Sequence, residues 1–129
     1  MPYEIRVIDD EEIVSVRLSG RVEVAEHVDA RRDTLRLCEE KETIKILVDL
    51  VDLTSSMATF EAYDFGSTFG TDGATVPIIM AVVLPRDPRV RKDVQFIITV
   101  ARNRGSQVDE FDDEDKAREW LHAFGKVSQ

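Results

Sequence analysis

Cysteine is nearly missing from this chain. Cys38 is the only one, so no disulfide forms within it and nothing in the thiol content points to secretion. Histidine is almost as scarce: His27 and His122 lie far apart, neither has ligand spacing with Cys38, and no metal site is expected. Long apolar runs are missing too. The longest, Ile78 to Leu84 between Pro77 and Pro85, is far short of the roughly 20 residues a membrane helix needs. The N-terminal MPYEIRVIDDEE lacks the basic and apolar regions of a signal peptide, so a cytoplasmic location is expected. No G-x-G-x-x-G, G-x-x-x-x-G-K-[ST] or G-x-S-x-G is present, which argues against a nucleotide cofactor and against a serine nucleophile elbow. Basic residues are outnumbered 17 to 26, and the net charge of −9 repels nucleic acid and anionic membranes from the chain as a whole.

What is there suits one globular domain over residues 1–129, with 43% apolar and 33% charged residues. Tyr3–Ile8 and Ile13–Leu18 alternate in side-chain character, and the acidic link 9–12 reads as a hairpin turn. Val24, Val28, Leu35 and Cys38 mark the apolar face of a helix over 24–41. Residues 44–50, led by Thr43, are nearly continuously apolar, as in a strand covered on both faces. A second helix is predicted over 57–69, with Phe60, Tyr63, Phe65 and Phe69, followed by the loop TDGATVP. Residues 76–84 form a further buried strand. Asp87 as N-cap, Pro88 at the first helical position and Gly105 at the end bound a third helix, despite the β-branched run 96–100. Gln107–Phe111 is a short strand, and Asp112 to Asp115 supply negative charge to the start of a last helix that carries Ala117, Trp120, Leu121 and Phe124 and stops at Gly125. The order ββαβαβαβα implies an α/β fold: a mixed, mostly parallel sheet with an N-terminal hairpin and about four helices, on one face or both.

The unusual stretch is LVDLVDLTSSM, residues 47–57, where a buried strand gives way to polar residues. The carboxyl end of a parallel strand is where α/β folds place their sites. Asp52, Thr54, Ser55, Ser56, Met57 and Phe60 are therefore the candidate ligand or partner contacts. Ser55 and Ser56 are expected to cap the following helix, whose N–H groups would receive an anion. A carrier or sensor of an apolar small molecule or lipid, held between helix 57–69 and residues 86–104, is the alternative. A serine hydrolase using Ser55 or Ser56 is a third, with the two histidines as the only ready bases, both of which have a solvent-exposed reading. Residues 86–104 carry six basic residues against two acidic ones, a local balance of +4 that leaves −13 for the rest. Such a helix is either a solvated face or meets an acidic surface, on a partner protein or on a second copy in a homodimer.

Four features together, RLSG closing the hairpin, KILVDL leading to a polar turn, IIMAVVLP, and the terminal VDEFDDEDKAREWL, resemble the STAS superfamily. Within it the chain is similar to the SpoIIAA-like (STAS/SEC14-type) bacterial proteins, over essentially its whole length. The resemblance implies a regulatory module without enzymatic activity or cofactor. In its best-known members a serine within Asp-Ser-Ser-Gly is phosphorylated by a kinase partner. The corresponding region here, DLTSSMATF, makes Ser55 and Ser56 the candidate phosphoacceptors. It departs from that pattern: the serines follow Asp49 sooner, no Asp directly precedes them, and Met57 stands in place of Gly.

Overall fold

A computed structural model of the chain describes residues 3–8, 12–55 and 78–127, with side chains described as far as Ala123. Strands β1 (Tyr3–Ile8) and β2 (Ile13–Leu18) form the expected antiparallel pair, with Ile8 opposite Ile13. Strands β3 (Lys45–Asp49), β4 (Ile79–Val83) and β5 (Gln107–Phe111) add to β2 in parallel, so the five-stranded sheet runs β1-β2-β3-β4-β5. Three helices are described: α1 (Val24–Lys41), α2 (Pro88–Asn103) and α3 (Glu114–Val127). The helix expected over 57–69 and the acidic residues 9–11 of the hairpin link lie outside the described residues.

Each helix is bounded by local chemistry. At the start of α1, the Glu23 side chain accepts from the backbone of Glu26, and the Glu26 carboxylate accepts from the Glu23 N–H at 2.8 Å. This is a capping box built from two glutamates. At the start of α2, an Asp87 carboxylate oxygen accepts from the N–H groups of Arg89 (2.9 Å) and Val90 (3.3 Å), with Pro88 at the first helical position. That helix ends in a Schellman motif. The Ser106 N–H donates to the Ala101 carbonyl at 3.0 Å and the Gly105 N–H to the Arg102 carbonyl at 2.9 Å. The motif puts Gly105 at φ 94°, a conformation that favours glycine. With both ends capped and Val90, Val94, Ile98 and Ala101 on one buried face, the β-branched run 96–100 folds as helix. The Asp113 carboxylate caps α3 by accepting from the Lys116 N–H at 2.9 Å. Contrary to the sequence reading, α3 passes through Gly125 and ends at Val127. A glycine weakens a helix by about 1 kcal/mol, which is not enough to stop it.

Side chains of the strands alternate between two cores. Val14, Val16, Leu18, Ile46, Val82 and Val108 pack with α1 and α2, while Ile13, Leu47, Ile79, Ala81 and Val83 pack with Ala117 and Leu121 of α3. The sheet is therefore covered on both faces. Successive parallel strands step across it in one direction, so right-handed crossovers put α1 and α2 on the same side. The apolar face expected for α1 holds in part: Cys38 is buried and Leu35 packs against the core, whereas Val28 is 42% exposed, and Ala30 and Thr34 are buried beside Cys38. Small residues four apart let the helix approach the sheet closely, and Thr34 is tolerated there because its hydroxyl donates to the Ala30 carbonyl at 2.7 Å.

Candidate functional site at the carboxyl edge of the sheet

Parallel pairing brings the ends of β2 and β3 side by side, with Arg17 opposite Asp49. Beyond Asp49 the chain turns sharply. An Asp49 carboxylate oxygen accepts from the Val51 N–H at 3.1 Å, an Asx turn, and the Leu53 N–H donates to the Leu50 carbonyl at 3.0 Å. The chain then runs alongside the segment leading out of β2. The Gly20 N–H donates to the Asp52 carbonyl at 2.9 Å, and the Thr54 N–H returns a bond to the Gly20 carbonyl at 3.0 Å. Gly20 makes this bridge at φ 70°, which suits a residue without a Cβ. Leu53 and Val22 anchor the two segments in the core.

Ser55 completes the clamp. Its Oγ accepts from the Val22 N–H at 2.8 Å and donates its proton to the Val22 carbonyl at 3.1 Å. The hydroxyl thus acts like one more residue of a strand, joining the turn after β3 to the start of α1. The helix that Ser55 was expected to cap lies outside the described residues, and the described bonds of Ser55 both go to Val22. A phosphoryl group on Oγ would replace the donated proton, so modification of Ser55 would require this clamp to open. Replacing Ser55 with alanine leaves the Val22 backbone without its partners and is expected to lower stability by about 1–2 kcal/mol. A shift of the urea midpoint at unchanged m-value is the readout.

Asp52 sits between two arginines. Its carboxylate lies 2.5 Å from the Arg17 guanidinium and 3.3 Å from that of Arg86. Arg86 is positioned by its own backbone, since its N–H donates to the Val51 carbonyl at 3.2 Å. The Asp52 hydrogen bond raises the pKa of Arg17, with the Asp49 carboxylate adding to the effect. Both arginine side chains keep much of their surface in solvent, 49% for Arg17 and 77% for Arg86. The sequence reading selected Asp52, Thr54 and Ser55, and the structure brings these together on one turn, with Thr54 exposed. Arg17 and Arg86 were not selected, although in-register pairing of β2 with β3 carries the signal for Arg17. Ser56, Met57 and Phe60, with the aromatic helix on which the apolar-ligand reading rests, lie outside the described residues.

Other expectations change with the structure. Three residues of the basic segment meet acidic groups of their own chain: Arg86 with Asp52, Arg91 with Asp112 at 2.6 Å, and Arg102 with Asp109 at 2.5 Å. The acidic surface sought on a partner or a second copy is, for these residues, supplied by the turn after β3 and by β5 with the residue that follows it. Neither histidine is fully exposed. Burial holds His27 well below its ordinary value, at about 4, against an opposing pull from Glu26. Cys38 is buried as expected, and burial pushes its thiol up to about 11, so it stays protonated. Among the described residues, no three His, Cys, Asp or Glu side chains are grouped to hold a metal ion, and no helix is long and apolar enough to cross a membrane. No family model matches the chain, and no curated protein or solved structure matches it either.

Proposed function

We propose that this chain is a regulatory binding module of STAS/SpoIIAA-like type, without catalytic activity, that engages a protein partner at the carboxyl edge of its sheet. The observation that carries the reading is the Asp52 carboxylate held between two solvent-exposed arginine side chains on a turn clamped to Gly20 and Val22. Exposed ion pairs of this kind contribute little to folding, so the cluster is free to exchange one partner for another. An acidic side chain of the partner would take over Arg17 and Arg86, whose fixed positions lower the ordering cost of binding. Ser55, whose proton is donated to a carbonyl, serves the rigidity of this surface and not nucleophilic attack.

Photo-crosslinking tests the proposal. A photoreactive residue replacing the exposed Thr54 should give one discrete protein adduct in the native host. Arg17→Ala combined with Arg86→Ala should abolish it while thermal stability stays within about 1 kcal/mol of the parent, as expected for exposed pairs. An adduct unchanged by the double substitution, or none formed at all, rejects this edge as the partner site.

A further inference from the structure

We propose that two copies of this chain join through the outer edges of β1, paired antiparallel about a two-fold axis at Ile5, so that one sheet continues across both. The inference stands on the sheet edges and does not depend on the function proposed above.

The two edges of the sheet are built differently. In β5 the Phe111 carbonyl accepts from the Leu84 N–H, on the side of β4. Peptide groups alternate sides along a strand, so Val108 and Glu110 turn theirs outward. Both are blocked there. The Val108 carbonyl accepts from Arg102 Nε at 2.9 Å, and the Glu110 N–H donates to the neighbouring Asp109 carboxylate at 2.8 Å. The Arg102–Asp109 ion pair then lies along that edge. Side chains that occupy outward-facing peptide groups prevent another strand from adding. Among the described residues β1 has no such guard: the sheet ends at it, and none of them bonds to its outer edge. Its one described side-chain bond, from the Tyr3 hydroxyl to Asp33 at 3.0 Å, reaches back to α1.

The charges of β1 select both the occupant and the register. Glu4 and Arg6 share one face, and Tyr3, Ile5 and Val7 share the other, as alternation along a strand dictates. Opposed residues in an antiparallel pair point to the same face, so a two-fold axis must pass through a residue. Centred on Glu4, the pairing opposes two glutamates, and centred on Arg6 it opposes two arginines, both unfavourable. Centred on Ile5, it sets Glu4 of each copy against Arg6 of the other, Ile5 against Ile5, and Tyr3 against Val7. Every cross-strand pair is then favourable, and each is made twice by symmetry. Arg6 makes no ion pair with another described residue.

Sedimentation velocity on the full chain over a wide concentration range provides the test. The wild-type protein should show a concentration-dependent dimer. R6E and E4R should each raise the dimer Kd by about tenfold or more, because two opposite-charge pairs become two like-charge pairs. An equimolar mixture of the two variants should restore association, since each E4R strand then faces an R6E strand with all four charges matched. A wild-type chain that stays monomeric overturns the proposal and makes Glu4 and Arg6 edge guards instead. A dimer indifferent to both substitutions, or a mixture no tighter than the variants alone, overturns it as well. Glu4 lies opposite Arg17 within the sheet, so E4R carries a risk to folding. R6E carries less, and its weakened dimer should recover in part at high salt, where like charges are screened. No recovery rejects the charge-selected register.

Discussion

Leu47→Ala is expected to lower the unfolding free energy by about 3 kcal/mol, within the range measured for truncating fully buried leucines. Leu47 has no exposed surface and occupies β3, the middle strand of the sheet. It packs in the core formed with Ile13, Ile79, Ala81 and Leu121, where α3 covers one face. Truncation removes apolar contact and leaves a void, and a void on a central strand closes poorly because paired strands flank it on both sides. The midpoint of urea unfolding reads the loss, with an unchanged m-value marking an intact native state. Val48 is the control: its neighbouring position on the other face is only partly buried, so Val48→Ala should cost clearly less. Equal costs for the two would mean that α3 does not cover the sheet in solution.

Acid should destabilise the protein earlier than its carboxylates alone would require. His27 titrates at about 4 in the folded chain, against 6.5 for an ordinary histidine, chiefly because burial disfavours the charged imidazolium. Between these values the unfolded chain binds a proton that the folded chain refuses. Stability therefore rises with pH across that window, is fully present above 6.5, and falls by about 2–3 kcal/mol as the pH drops to 4. Asp112 moves in the same direction but in a different window. The Arg91 hydrogen bond lowers its pKa, so its contribution is lost only as the pH falls through the acid side of 3.8. The slope above pH 5 consequently belongs mainly to His27, and His27→Gln should flatten it in urea titrations at several pH values. A slope that survives the substitution would assign the acid sensitivity to another group.

Both predictions turn on a difference between what the chain spells out locally and what folding adds. The strands β1, β2 and β5 and the helix α1 have the boundaries expected from alternation, period and capping, because those signals act within a few residues. Asp87, Pro88 and Gly105 likewise bound α2 through bonds made within one turn. The face of α1 was legible in part. Leu35 and Cys38 of the expected stripe meet the core, but the sheet also accepts Ala30 and Thr34 and leaves Val28 exposed, and no local rule states how closely a helix must approach. The solvent-exposed reading of His27 also needs correction, since the side chain is partly buried and burial lowers its pKa.

For the candidate site, residue order and composition alone specify a buried strand that ends in a polar turn containing Asp52, Thr54 and Ser55. They also specify an α/β chain with a mixed, mostly parallel sheet. What those residues contact follows from the fold. Ser55 meets Val22, and Asp52 meets Arg17 and Arg86, across more than thirty positions of sequence, about as far as the contact between Arg17 and Asp49. Such contacts follow from strand register and crossover, which place the ends of β2, β3 and β4 at one edge. Residue type and local spacing act over a turn or two, whereas hydrogen-bond partners are chosen by whatever the folded sheet brings within about 3 Å.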